Sequence, residues 1–394
     1  MHSMMLFSRE EYVARADRAR QMMREQEIDA LLISQAQNLI YLTGYRTNLF
    51  VSNFRPFLAV LPLEGDPVLL LPFLELGVGQ EVSWIADQRA WGPNMDTDFT
   101  RDMYAVDALE SARKVLQEKK LDKGRIGIEL GMGQRIGMSV QQYEQLRGAL
   151  PGATWKDASP LLWKVRAKKS PKEVEYLRKA SQITDKGYEA AVKAAHAGIT
   201  ERELQAVMGE TFMREGSDYN GFIIVNSGKQ RYKMMNPYAI DRKLEKGDMC
   251  IFDFGAVYNG YWSDLTRGFF VGEASPRQRE FYEISREATA LTAAAVKPGV
   301  TGESVDAVAE KFIADKGYRR YMFHRTGHSI GVEVHEIPSI GAGEKTVLEP
   351  GMCFAIEPGI YDFNVGSFRV EDIVTVTEKG FEYLSNCRRE LTVV

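Results

Sequence analysis

Hydrophobic and polar positions along the chain follow two periods, and the places where one gives way to the other mark its elements. Up to about residue 163, helical and strand patterns alternate. Ser8 and Glu11 read as a capping box that opens a helix to about Gln26. Apolar runs at 29–34, 57–61, 67–71 and 125–130 read as buried strands, and helical spacing recurs at 106–119 and 140–148. Glu64-Gly-Asp66-Pro67 and Pro72 break the longest apolar stretch into two strands and a turn, which is too interrupted to cross a bilayer. This alternation predicts an α/β layer domain over residues 1–163.

The segment from Lys164 to Pro171 is basic and breaks the pattern, so a second domain is expected over 164–394. Pro171 falls at a first helical position with Ser170 as its cap, and Thr200 with Glu203 forms another capping box. A strand near 222–226 and a hairpin follow; two further helices, at 276–296 and 302–316, precede another hairpin. Two helices and then strands, occurring twice, suggest an internal duplication. Its helices would cover one face of a curved antiparallel sheet and leave the other face for chemistry. The fold class is therefore α+β, preceded by the α/β domain.

Chemistry concentrates in the two hairpins. Asp253 and Asp264 lie in apolar strand runs on either side of Asn259-Gly260, a strong hairpin signal. A hairpin symmetric about Tyr258 and Asn259 would make them cross-strand partners, with β-carbons about 5 Å apart. Glu357 and Glu371 are likewise symmetric about a turn containing Asn364 and Gly366, and Arg369 shares the face of Glu371. Three of the five histidines, His324, His328 and His335, fall in the glycine-punctuated loop between the hairpins. Any one of these carboxylates alone reads as a solvated turn residue. Charges within apolar strands are costly unless paired, and two divalent cations would account for Asp253, Asp264, His328, Glu357 and Glu371 together. Four carboxylates and one imidazole, with no thiolate, suit manganese, cobalt, iron or zinc.

FDFGA…SDLTRGF, HRTGHSIGVEVHEIP, LEPGMCFAIEPGIY and FRVEDIVTVT, in that order, resemble the pita-bread metallopeptidases, in particular the branch of Xaa-Pro dipeptidases and aminopeptidase P. The likeness runs from about Lys164 to the end and implies a pita-bread catalytic domain behind a creatinase-like first domain. It implies that Asp253, Asp264, His328, Glu357 and Glu371 are the five metal ligands, that His335 contacts the substrate carbonyl and that Arg369 braces the site. It further implies a homodimer. The expected reaction is amide hydrolysis by a hydroxide shared between two metal ions, with Glu357 as general acid and base. The expected substrate is a Xaa-Pro dipeptide or an N-terminal Xaa-Pro bond.

One position departs from the family pattern. Asn236 stands where these peptidases usually carry a histidine, and an amide cannot titrate near neutrality. This keeps open a relative acting on a non-peptide C–N bond, as creatinase or ectoine hydrolase do. A catalytically dead binding module would require lost ligands, and all five are retained. Arg55 interrupts an apolar run of the first domain; it reads either as a snorkelling arginine or as a group reaching a substrate carboxylate in a neighbouring subunit.

Composition narrows the rest. With 44% hydrophobic and 26% charged residues and a net charge of −4, the chain gives no reason to propose nucleic acid or a membrane as partner. Cys250, Cys353 and Cys387 have no metal-type spacing, and Cys250 and Cys353, in apolar strand runs, read as reduced core residues of a cytoplasmic protein.

Overall fold

The computed structural model describes residues 4–52, 54–92 and 106–394, so His2 lies outside the described residues. The chain forms two compact units, Met1–Arg166 and Ala167–Val394. Their division falls inside the basic segment, although the helix Ser159–Ala167 runs through what reads as a linker.

In the first unit six strands form one mixed sheet, in the order Asp87–Trp91, Val68–Pro72, Leu58–Pro62, Ala30–Ile33, Arg125–Ile128, Thr154–Asp157. The three strands at its centre and left, Ala30–Ile33, Leu58–Pro62 and Val68–Pro72, are buried at every position. That is why they read as continuous apolar runs rather than alternating ones. Ala112, Val115 and Leu116 of the helix Val106–Glu118 close one core against Leu32, Val60, Leu70 and Ile126. Ser8 caps the first helix, Arg9–Glu25, and the Glu11 carboxylate accepts from Arg15 one turn later.

The two helix pairs of the second unit start alike, as an internal duplication would have them. The helices Pro171–Ala194 and Pro276–Ala295 each open on a serine cap followed by proline, with complete capping boxes at Ser170/Glu173 and Ser275/Gln278. Glu201–Arg214 and Gly302–Asp315 each follow a threonine cap, and each cap bridges to a later strand-like segment: Thr200 to Lys243 and Thr301 to Val347. Each cap is worth about 1 kcal/mol to its helix.

Sheet alternation then separates packing from chemistry. Phe252 and Phe254 pack with Ile183, Tyr188, Leu204 and Phe212 of the first helix pair. Phe354, Ile356 and Val374 pack with Ala293, Val296 and Val305 of the second. Successive strand residues point to opposite faces. Asp253, Glu357 and Glu371 therefore fall on the face turned away from the helices. All three cysteines are buried and unbridged. Among the described residues, no helix is long and apolar enough to cross a membrane.

Candidate metal centre

The first hairpin pairs Met249–Gly255 with Leu265–Phe270, and Asp253 stands opposite Thr266. The expected cross-strand pairing with Asp264 is corrected by two residues. Asn259 and Gly260 take φ of 52° and 79°, forming a two-residue turn closed by Tyr258 and Tyr261, so the hairpin centre lies one residue later. A shift of two leaves every side chain on its own face, so Asp264 stays beside Asp253, displaced diagonally.

The second hairpin keeps its expected register. Ile356 pairs with Asp372 and Gly359 with Arg369, which brackets Glu357 and Glu371 as opposing positions. The two hairpins are then joined, since Glu371 donates its backbone N–H to the Thr266 carbonyl at 3.2 Å. His328 enters on the strand Gly327–Ser329, which lies beside Cys353–Ile356. Its Nδ1 lies 3.1 Å from the Ser329 carbonyl, an acceptor, so Nδ1 donates there and Nε2 is the nitrogen turned to the carboxylates. Nε2 stands 3.5 Å from both Asp264 Oδ2 and Glu357 Oε1.

One ligand atom from each of Asp253, Asp264 and Glu371 lies within 4.8 Å of the other two, and the same holds for His328, Glu357 and Glu371. A third such group joins Asp264, His328 and His335. Against four carboxylates stands one guanidinium. Arg369 Nη2 donates to Asp253 Oδ2, and Arg369 also stands 3.8 Å from Glu357 and 3.7 Å from Glu371. Burial raises the pKa of Asp253, and raises those of Asp264 and Glu371 well above the carboxylate range. At Glu357 burial acts in the same sense but is outweighed by Arg369, His328 and His324, and its pKa is lowered. Two buried atoms of the cluster, His328 Nε2 and Glu371 Oε1, have no hydrogen-bond partner. Surplus negative charge, hard oxygen donors and two such atoms turned to one place fit divalent cations.

The same architecture is found in known proteins. Residues 175–378 match the model of metallopeptidase family M24, and residues 15–168 match the creatinase/prolidase N-terminal domain. The chain belongs to metallopeptidase family M24. A Xaa-Pro dipeptidase of Lactobacillus helveticus is 31% identical over 96% of this chain and 98% of its own length. The crystal structure of a prolidase from Pyrococcus horikoshii superposes with a TM-score of 0.82 at 30% identity, covering 96% of this chain and 99% of that one. A dipeptidase PepE from Mycobacterium ulcerans gives 0.84 at 33% identity over 98% and 99%. The expected pita-bread fold behind a creatinase-like domain is borne out, and the M24 chain is by family a metallopeptidase.

The His335 ring stands 4.3 Å from that of His328 with its outer edge exposed; desolvation and the neighbouring His328 lower its pKa to about 4. Asn236 is exposed on the loop before the first hairpin. Its neighbours Met234 and Met235 line a small cavity together with Asp253 and Arg369. Arg55, in the first unit, is half-buried and donates to Ser52 Oγ at 3.1 Å. His196 is exposed. His324, from the same loop as His328 and His335, has Nε2 2.7 Å from the Tyr361 hydroxyl. Thr266 also went unnoticed. No sequence signal marks it, because its partners arrive from more than 100 residues away.

Proposed function

We propose that this chain hydrolyses the amide bond of a Xaa-Pro dipeptide or an N-terminal Xaa-Pro peptide with two divalent ions, manganese being the first to test. Asp253, Asp264, His328, Glu357 and Glu371 would hold them. The observation that carries this reading is Glu371, which belongs to two groups of converging donors and keeps a buried oxygen without a partner. The bond type rests on relatives named Xaa-Pro dipeptidase.

Bound there, two divalent ions supply Lewis acidity that polarises the scissile carbonyl and acidifies water. Glu357, with its lowered pKa, is ionised at neutral pH and suited to accept a proton and return it to the leaving nitrogen. His335 is neutral at pH 7 and offers an N–H to the oxygen that gains charge in the tetrahedral intermediate. Arg369 holds Asp253 in place. Two chains pair in this reading, in the cytoplasm, and sedimentation of the purified protein reads the pairing directly.

The deciding experiment is metal analysis of the purified protein together with proline release from a panel of Xaa-Pro dipeptides, with and without manganese. Two ions per chain and manganese-dependent release support the reading. Two ions with no release from any dipeptide would transfer the activity to a non-peptide C–N bond, the alternative that Asn236 favours.

A further inference from the structure

We propose that Thr266 is a positioning residue of the metal centre, whose hydroxyl fixes the carboxylate of Glu371 and leaves its Oε1 free for the ions. The proposal rests on the metal-centre reading above and adds a residue to it. Thr266 is fully buried. Its Oγ1 donates to Glu371 Oε2 at 2.6 Å. The same oxygen accepts from Arg369 Nε at 2.7 Å. A hydroxyl has one proton, and here that proton has one destination, because Arg369 can only donate. The direction of the chain Arg369 to Thr266 to Glu371 is therefore fixed by chemistry.

The consequence lies at the other oxygen. With Oε2 held by Thr266, Glu371 Oε1 is the buried atom left without a partner. Thr266 also holds Glu371 through the backbone, since its carbonyl accepts the Glu371 N–H. It stands across the strand pair from Asp253, whose carboxylate takes the other arm of Arg369. One hydroxyl thus sets the relative positions of donors from both hairpins. Hydrogen bonds of this kind orient ligating carboxylates, and their loss typically weakens metal binding by about 10–100-fold.

The test is calorimetric titration of manganese into the metal-stripped full chain, with thermal unfolding of the same metal-free samples. Thr266→Val keeps the shape and removes the hydroxyl. It is expected to weaken binding of at least one ion by about 10-fold or more, while Thr266→Ser restores binding to near the parent level. A Thr266→Val isotherm matching the parent would overturn the proposal, as would equal loss in the serine and valine variants, which would make the methyl group responsible. Thr266→Ala reads the hydroxyl in the same way if the valine variant does not fold. A parent chain that takes up no divalent ion at all would instead remove the metal-centre reading beneath the proposal, a different outcome from a variant that matches its parent.

Discussion

Lys169 Nζ lies 3.0 Å from Glu336 Oε2, with both side chains only 1% exposed. The same ammonium donates to Ser329 Oγ at 3.1 Å, so one cation fastens the neighbours of both His328 and His335. Glu336 also accepts the Glu333 N–H, and Gly331 sits so close that an added Cβ would lie 2.8 Å from the carboxylate oxygens. Removing the lysine leaves a buried carboxylate without this cation, a loss worth about 3–5 kcal/mol in such sites. Lys169→Met is expected to shift the urea midpoint accordingly, and adding Glu336→Gln should recover most of the loss. A double variant whose loss equals the sum of the single losses would show that the two groups are not coupled.

The surplus of carboxylates predicts opposite signs for function and stability at one position. Glu371 belongs to two groups of converging donors, so Glu371→Gln should abolish uptake of both ions. Yet four carboxylates converge where the one guanidinium, Arg369, stands beside only three of them, and replacing a carboxyl by an amide relieves their mutual repulsion. In chelator, Glu371→Gln is therefore expected to melt at or above the parent temperature. Asp253→Asn removes the partner of Arg369 instead, and should melt lower. Metal content by mass spectrometry and melting curves in chelator decide both; a glutamine variant that retains two ions contradicts the assignment.

The parts of this fold that announce themselves in the sequence have local causes. Ser170-Pro171 and Ser275-Pro276 mark helix starts because cap and first-turn chemistry is written within four residues. The helix Ala36–Thr43 escaped notice because its cap position, Gln35, makes no side-chain capping bond to the helix and the helix follows a strand directly. The register of the second hairpin was legible from its turn, whereas the first was misplaced by centring it on Tyr258 and Asn259 instead of on Asn259 and Gly260, the pair that takes the two positive φ values. The faces survived that error because it was an even shift. Thr266 and Lys169 were illegible for a different reason: their roles depend on groups 105 and 167 residues away.

Asn236 offers a test of chemistry separate from metal binding. It is exposed, on a loop whose neighbouring methionines border Asp253 and Arg369, so a ring can be accommodated without repacking a core. Imidazole supplies a group that titrates near neutrality, which the amide lacks. Asn236→His is expected to raise kcat/KM for Xaa-Pro dipeptides and to leave metal content at the parent level. An unchanged or lower rate would show that this position does not limit peptide hydrolysis.

Asp185 gives a pH signature outside the metal centre. It lies in the helix Pro171–Ala194, where Oδ2 accepts the Asn386 N–H at 2.8 Å and Oδ1 is buried without a partner. Desolvation raises its pKa from 3.8 to about 6. A carboxyl whose pKa is higher in the folded state binds its proton more tightly there. Its contribution to stability is thus complete below pH 3.8 and is lost as pH rises through about 6. The shift corresponds to about 3 kcal/mol. Asp185→Asn keeps an acceptor for Asn386 and removes the charge, so its stability relative to the parent should grow by about that amount between pH 4 and pH 8. Urea unfolding of both proteins in chelator, taken as a difference, cancels the titration of the shared acidic cluster. A difference that stays flat across that range would mean that Asp185 ionises in the folded chain as readily as in the unfolded one.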